Sequence, residues 1–427
     1  MNTINTTSRR MTAIDLFSGA GGMSLGFESA GFDIIGAVEV DPIHALVHHI
    51  NFPYTQTICN NISDVTEKDF ENLLHRNNIT NLDIVVGGPP CQGFSNIGKR
   101  QLDDPRNKLV FEYVRALKIL SPNYFIFENV PGLASGDHKK FLYELINEFE
   151  GIGYKITLPF QILDAADYGV PQKRRRLILI GSKRSIVQYP KGTHYSLSEQ
   201  NVLFNDGLSH VGARSALSSL EDIGIFVDSD SGVKVEKIKY AAHNEIFSFD
   251  RNYFMSNARI LDTDKVYGHI GSRHASFSVE RFANTPPGST EPVSRFYRLH
   301  PDRPCNTLRA GTASDRGAHT APRPIHYSQP RCISIREAAR LHSFPDWFQF
   351  HRTIWHGFRQ IGNAVAPLLA RAIALEIIKS EGKSNISWPI RRLIINNSSL
   401  LVNDMSEASD YWGVSRNVIP PRKRMVG

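Results

Sequence analysis

Residues 13–22 read Ala13-Ile14-Asp15-Leu16-Phe17-Ser18-Gly19-Ala20-Gly21-Gly22. The opening apolar run has the length and composition of a buried strand. The glycines after it permit a tight turn, and residues 23–30 read as a helix. A strand that enters a helix through a glycine turn is the opening unit of a doubly wound α/β sheet. The rhythm continues with strand-like runs at 32–40, 83–86, 124–127 and 177–180, separated by helix-like segments. This alternation predicts an α/β fold, a Rossmann-like, mostly parallel, doubly wound sheet.

The second strand ends Val38-Glu39-Val40-Asp41, about 20 residues beyond the loop, where an acidic side chain is placed to bind ribose hydroxyls. That arrangement fits NAD, FAD or S-adenosylmethionine. The loop departs from the dinucleotide fingerprint: Gly19 and Gly21 are present, but position 24 is Ser. Phe17 supplies an aromatic ring for an adenine. S-adenosylmethionine, which has no pyrophosphate to cradle, is the expected cofactor.

A second stretch carries chemistry. Residues 87–95 read Gly-Gly-Pro-Pro-Cys-Gln-Gly-Phe-Ser, directly after the strand at 83–86. Two prolines stiffen the turn, and two glycines let a substrate approach the backbone. A thiol on such a turn, at the carboxyl end of an α/β strand, sits where these folds place catalytic groups. Cys91 is the expected nucleophile. The other cysteines, Cys59, Cys305 and Cys332, show no paired spacing of the zinc-site kind, and four thiols in 427 residues give no disulfide framework.

Composition sets outer limits. Hydrophobic residues make up 41% and charged residues 21%, the balance of a folded chain, and the net charge of +7 suggests a polyanionic partner. No apolar run approaches about 18 residues, so no membrane span is expected. The basic run Pro420-Pro421-Arg422-Lys423-Arg424 reads as a loose tail.

Several motifs now stand in one order: Asp-Leu-Phe-Ser-Gly-Ala-Gly-Gly at 15–22, Glu39-Val40-Asp41, the Cys91 turn, Glu128-Asn129-Val130 and Gln172-Lys173-Arg174-Arg175-Arg176. They continue with Arg-Glu-Ala-Ala-Arg-Leu at 336–341 and Gln360-Ile361-Gly362-Asn363-Ala364-Val365-Ala366-Pro367. The set resembles the DNA (cytosine-5)-methyltransferases of bacterial restriction–modification systems, across about 300 residues in two blocks. The resemblance implies that Cys91 adds to C6 of a flipped-out cytosine, making C5 nucleophilic toward the methyl donor. It implies that Glu128 binds the base edge at N3 and the 4-amino group. Arg174 and Arg176 alternate on an extended segment and share a face; Arg176 is implied to hold the base O2 and Arg174 to support it. Lys173 and Arg175 face the other way.

The implied cofactor contacts are Phe17 and Val40 on the adenine, the loop Ser18, Gly19, Ala20, Gly21 and Gly22 on the methionine portion, and Glu39 on the ribose. Pro89, Leu109, Asn363 and Val365 complete the pocket. Where the family has Asp-Ile after its third strand, this chain has Asn61-Ile62. The Asn61 carbonyl still accepts a hydrogen bond, and nearby Asp64 is the alternative.

The resemblance also divides the chain. Residues 1–181 form the first part of the catalytic and cofactor-binding domain. Residues 182–305, rich in Ser, Gly, Asn and aromatics, form a smaller, irregular, mainly-β target-recognition domain. Residues 306–382 return to the catalytic domain, and 383–427 form a C-terminal extension. The region holds His274 and the arginines Arg251, Arg273, Arg281, Arg295 and Arg298, and these arginines are candidates for reading guanine edges or pairing with phosphate. Residues 96–106, polar and basic, are expected to form a loop that closes over DNA. Pro304-Cys305-Asn306-Thr307-Leu308 resembles the family's closing element of the middle domain. Ser334 and Glu337 form a capping-box pattern, and Pro367 and Gly382 bracket a further helix. His44 and His48 have the i, i+4 spacing of metal sites but read as surface histidines, and no metal is expected.

The implied partner is double-stranded DNA, acted on by a cytoplasmic monomer paired in function with a restriction endonuclease. A tRNA cytosine-5 methyltransferase is disfavoured by the long middle region. A non-catalytic DNA-binding regulator is disfavoured by the presence of every catalytic motif.

Overall fold

The computed structural model describes residues 9–90, 108–136, 138–196, 207–227, 257–260, 267–311, 323–383, 391–394 and 398–418. Cys91, the 96–106 segment, Arg251 and the basic run at 420–424 lie outside them.

Strands β1 (Thr12–Leu16), β2 (Asp33–Glu39), β3 (Gln56–Cys59), β4 (Ile84–Gly87) and β5 (Tyr124–Asn129) are all parallel. Three antiparallel strands complete one edge: β6 (Lys155–Ile156), β7 (Gln161–Asp164) and β8 (Arg175–Ser182). The order is β3-β2-β1-β4-β5-β8-β6, with β7 also on β8. The expected doubly wound, mostly parallel sheet is therefore the one observed.

Helices α1 (Gly22–Ala30), α2 (Pro42–Asn51), α3 (Glu67–Arg76), α4 (Lys108–Leu120) and α5 (His138–Gly151) follow the strands in turn. Alternate strand residues feed opposite faces. Val85, Phe125 and Phe127 pack with Phe70, Val114, Leu117 and Phe149 of α3, α4 and α5. Ile84, Val86, Tyr124 and Ile126 pack on the other side with Phe27 of α1. Both faces are covered, which is why these strands read as continuous apolar runs rather than alternating ones.

Among the described residues of 182–305, short strands occur together with helices. The strands are β9 (His194–Tyr195), β10 (Leu208–Ser209), β11 (Phe226–Val227), β12 (Asn257–Ile260) and β13 (Ile270–Gly271), with helices α6 (Ala213–Leu217) and α7 (Ser276–Asn284). Strands this short cannot build a sheet core of their own. Ala213, Leu217, Ile270 and Leu299 instead share a core with Val47 and Ile50 of α2 and with α8 (Ile335–Leu341) and α9 (Ile354–Asn363). At the expected boundary, Cys305 N donates to Pro171 O at 2.9 Å, and Lys173 N donates to Cys305 O at 2.8 Å.

The capping box at Ser334 forms as expected, with Glu337 accepting from Ser334 N at 2.7 Å. Helix α10 (Pro367–Ser380) stops beside Gly382, at φ 66. Together Ile354–Ser380 has the length and apolarity of a membrane-crossing helix. It is two helices broken after Asn363, and Leu369, Ile373 and Ile377 of α10 are buried against the sheet. The chain beyond 383 returns to the fold: β14 (Arg391–Ile394) pairs with β12, and α11 (Met405–Trp412) packs on α2, where Trp412 Nε1 donates to Pro42 O at 3.1 Å.

Candidate active site

The strand order reverses between β1 and β4. Open α/β sheets bind ligands outside the carboxyl ends of the strands at such a point. Phe17 leaves β1 in the left-handed region, at φ 60, and Ser18 N donates to Val38 O at 3.1 Å, tying the loop to β2. Gly19 and Gly21, at φ 55 and 99, make turns that a side chain would strain. Gly22 is needed for a different reason: a Cβ on it would lie 2.3 Å from the Val365 carbonyl oxygen. The loop is thus seated on the segment that carries Asn363 and Val365, from the far end of the chain.

Glu39, at the end of β2, is buried. Gly19 N donates to its Oε2 at 2.7 Å and Asp41 N to its Oε1 at 2.9 Å. Burial pushes its pKa up, partly offset by His44. The two amides orient the carboxylate and leave it lone pairs for a hydroxyl-bearing ligand. Ser18 Oγ beside it is buried with no partner among the described residues. An unsatisfied hydroxyl, a buried oriented carboxylate and a glycine cradle fit a polar ligand with hydroxyl groups.

The remaining expected pocket residues sit at neighbouring strand ends. Val40 is half-buried after β2. Half-buried Asn61 follows β3, where its Oδ1 accepts from Ser63 N at 3.1 Å; Ile62 is buried and Asp64 exposed. Pro89 is buried after β4, Leu109 is half-buried on α4, Ala20 and Val365 are buried, and Asn363 is exposed at the end of α9.

Next to this crevice, β5 ends in Glu128 and Asn129. Arg176 Nε on β8 meets Glu128 Oε1 at 2.6 Å, with each side chain only 13% exposed. Glu128 Oε2 lies against the turn after β4: a Cβ on Gly88 would be 2.6 Å from it. Asn129 Nδ2 donates to Pro89 O at 3.0 Å. Glu128 and Asn129 thereby brace the Gly88-Pro89 turn that leads into Cys91.

Lys173 and Arg175 are exposed while Arg174 and Arg176 turn inward, the expected alternation. The inward pair do different work. Arg174 is fully buried and gives its guanidinium to three carbonyls: Leu308 at 3.0 Å, Gly362 at 2.7 Å and Ala364 at 2.9 Å. It ties its own segment to Leu308 and to residues 362–364. A cleft of about 890 Å³ elsewhere, between residues 168–212 and α10, contains none of the expected site residues.

A profile of the C-5 cytosine-specific DNA methylases matches residues 11–379. The chain belongs to that family. It is 46% identical over 424 residues to the type II methyltransferase M.XorII of Xanthomonas oryzae pv. oryzae, covering 98% of this chain and 96% of that one. It is 34% identical to the type II methyltransferase M1.HphI of Haemophilus parahaemolyticus, over 86% and 87% of the two chains. A solved structure described as a DNA modification methyltransferase encoded within a prophage (E. coli) superposes with a TM-score of 0.70 at 33% identity, over 87% of this chain and 99% of that one. The Dnmt2 methyltransferase of S. pombe shares the fold, with a TM-score of 0.55 at 17% identity, over 87% and 99%.

In this cytosine-5 DNA methylase the middle-region arginines divide. Arg298 is buried and caps α7, donating to Phe282 O at 2.8 Å and Thr285 O at 2.8 Å, so these donors are used within the fold. Arg281 Nε is 3.6 Å from Glu291, and His274 Nε2 accepts from Cys332 N at 3.2 Å. Arg273 and Arg295 are exposed.

The expected surface histidines are buried. His48 Nε2 is 3.0 Å from Ser24 Oγ, its ring stacks on Phe52, and burial pulls its pKa down to about 3, so it is neutral. Ser24 in turn donates from its hydroxyl at 2.6 Å and its amide at 3.1 Å to Asp15, whose pKa burial raises to about 7. This buried chain beneath the glycine loop escaped the sequence reading. Its signal was an acidic residue inside an apolar strand.

Proposed function

We propose that this DNA cytosine-5 methyltransferase works through Cys91, Glu128 and Arg176, with S-adenosylmethionine held by the glycine loop and Glu39. The observation that carries the proposal is the Glu128 carboxylate: paired with Arg176 and pressed against Gly88, it lies at the turn that leads into Cys91.

The Cys91 thiolate adds to C6 of the flipped cytosine, and its electron pair drives density toward C5. As C6 is attacked, N3 must gain a proton; it is delivered through Glu128, which also accepts from the 4-amino group. Arg176, beside Glu128, donates to O2. Arg174 holds Arg176 and the 308 and 362–364 segments in register. S-adenosylmethionine, when bound, supplies the electrophilic methyl. After transfer, water takes the C5 proton, Glu128 takes back the N3 proton and the Cys91–C6 bond breaks, restoring thiolate and aromatic ring. Glu39 accepts from the ribose, Phe17 and Val40 flank the adenine, and Asn61, rather than exposed Asp64, accepts from its amino group. Pro89, Leu109, Asn363 and Val365 close the pocket.

The substrate is double-stranded DNA, entered by flipping the base at a cost of a few kcal/mol. Residues 182–305 read the target, and the enzyme acts as a monomer in the bacterial or archaeal cytoplasm, protecting host DNA from a cognate restriction endonuclease. Duplex DNA carrying 5-fluorocytosine tests the mechanism, because fluorine at C5 cannot leave as a proton. A stable one-to-one adduct, mapped by peptide mass to Cys91, is expected. An adduct at Cys59, Cys305 or Cys332, or none with wild-type enzyme, would reject it.

A further inference from the structure

Arg359 stands immediately before the Gln360-Ile361-Gly362-Asn363 run, outside every motif discussed above. In the fold its Nη1 donates to Asp41 Oδ2 at 2.9 Å, and its guanidinium lies 5.2 Å from the centre of the Trp355 ring, which fixes its orientation. Asp41 is buried, and its Oδ1 caps α2 by accepting from Ile43 N at 3.1 Å and His44 N at 3.4 Å. The Asp41 amide donates to Glu39 Oε1 at 2.9 Å, and Gly19 N donates to Glu39 Oε2 at 2.7 Å. Arg359, Asp41, Glu39 and Gly19 form one continuous line from α9 to the glycine loop.

We propose that Arg359 is a positioning residue for cofactor binding, holding Asp41 so that the Asp41 amide fixes the carboxylate of Glu39. The inference rests on the reading of Glu39 as the ribose ligand. Two buried acids, two residues apart, repel each other. Burial favours the neutral form of Asp41, but His44, Arg359 and His356 around it outweigh burial and keep it below the ordinary carboxylate range. Without the guanidinium, the Asp41 charge faces Glu39 less compensated, and the cap of α2 loses its lateral anchor. The same helix that delivers Asn363 to the pocket thereby sets the ribose ligand.

The test uses the full-length enzyme with Arg359→Met, Arg359→Lys and Glu39→Ala. Dissociation constants for S-adenosylmethionine are measured by calorimetry, kcat at saturating cofactor on cytosine-containing duplex, and thermal midpoints alongside. Arg359→Met should weaken cofactor binding about tenfold, roughly the worth of one charge-assisted contact, with kcat within about twofold. Arg359→Lys, which keeps the point charge, should recover most of the loss. A lowered midpoint with unchanged cofactor affinity in Arg359→Met would make the residue merely structural and overturn the proposal. If Glu39→Ala also leaves affinity unchanged, the ribose reading fails with it; if Glu39→Ala alone weakens binding, only the role of Arg359 is lost.

Discussion

Gly88→Ala separates catalysis from folding in this enzyme. Gly88 does not have a positive φ, so alanine fits its backbone. Among the described residues, the three atoms nearest the added Cβ all belong to Glu128: Oε2 at 2.6 Å, the carbonyl oxygen at 3.6 Å and Cδ at 3.7 Å. Ordinary contact begins at 3.4 Å, so the carboxylate oxygen must move by about 0.8 Å. A side-chain tip can make that shift without unfolding anything, and stability should change by less than about 1 kcal/mol. The same tip is held by Arg176 at 2.6 Å and must meet the base edge in one geometry. Misplacing a catalytic group by about 1 Å costs about a hundredfold, so kcat should fall by ten- to a hundredfold, or about 1.4–2.7 kcal/mol of barrier. The assay is methyl transfer from labelled S-adenosylmethionine to duplex DNA under single-turnover conditions, with cofactor affinity measured separately. The cofactor constant should stay within about threefold. A variant with kcat within threefold of wild type would refute the placement of Glu128 at the reacting base.

Two further substitutions probe the frame. Gly22→Ala would drive a Cβ to 2.3 Å from the backbone oxygen of Val365, which cannot yield as a side chain can. It should cost about 1–3 kcal/mol of stability and weaken cofactor binding more than tenfold, read by denaturant titration and calorimetry; unchanged affinity would detach the glycine loop from the cofactor. Glu337 is fully buried; burial alone would raise its pKa, but its pairing with Arg331 at 2.7 Å overcomes this and lowers it to about 2. Because its folded pKa is depressed, the stabilisation is present above the unfolded pKa and is lost as pH falls through the folded one. From a reference of 4.5 to about 2, that is about 3 kcal/mol. Glu337→Gln should flatten the fall in stability between pH 6 and 3, and an unchanged slope would show that the pair is not the source.

The sheet was legible because its strands are buried on both faces and bounded by glycine, proline and acidic residues. The residues 13–22 and 83–91 carried both signals at once. Phe17, Glu39, Asn61, Pro89 and Glu128 lie at or just after strand ends, which follows from the parallel order, but their roles were implied by the family resemblance and not by the alternation. What escaped depends on tertiary pairing. Arg298 looks like a ligand for an anion in one dimension, yet it spends its donors on the carbonyls of Phe282 and Thr285. His44 and His48 sit among apolar residues of α2, and the packing of Phe52 and Ser24 against His48 shows that their face is covered. Trp412 likewise gives no local hint that the chain returns to α2. The middle region lacked periodicity because its short strands borrow their core from α2, α8 and α9.

The most direct measurement is base-resolution methylation mapping of plasmid DNA incubated with S-adenosylmethionine and either wild-type protein or Cys91→Ala. Cytosine-5 methylation at one short motif, absent with the variant, is the predicted result, and the same map reveals the recognised sequence. Motif-specific methylation that persists in Cys91→Ala, or none with cofactor-bound wild type, would contradict the account.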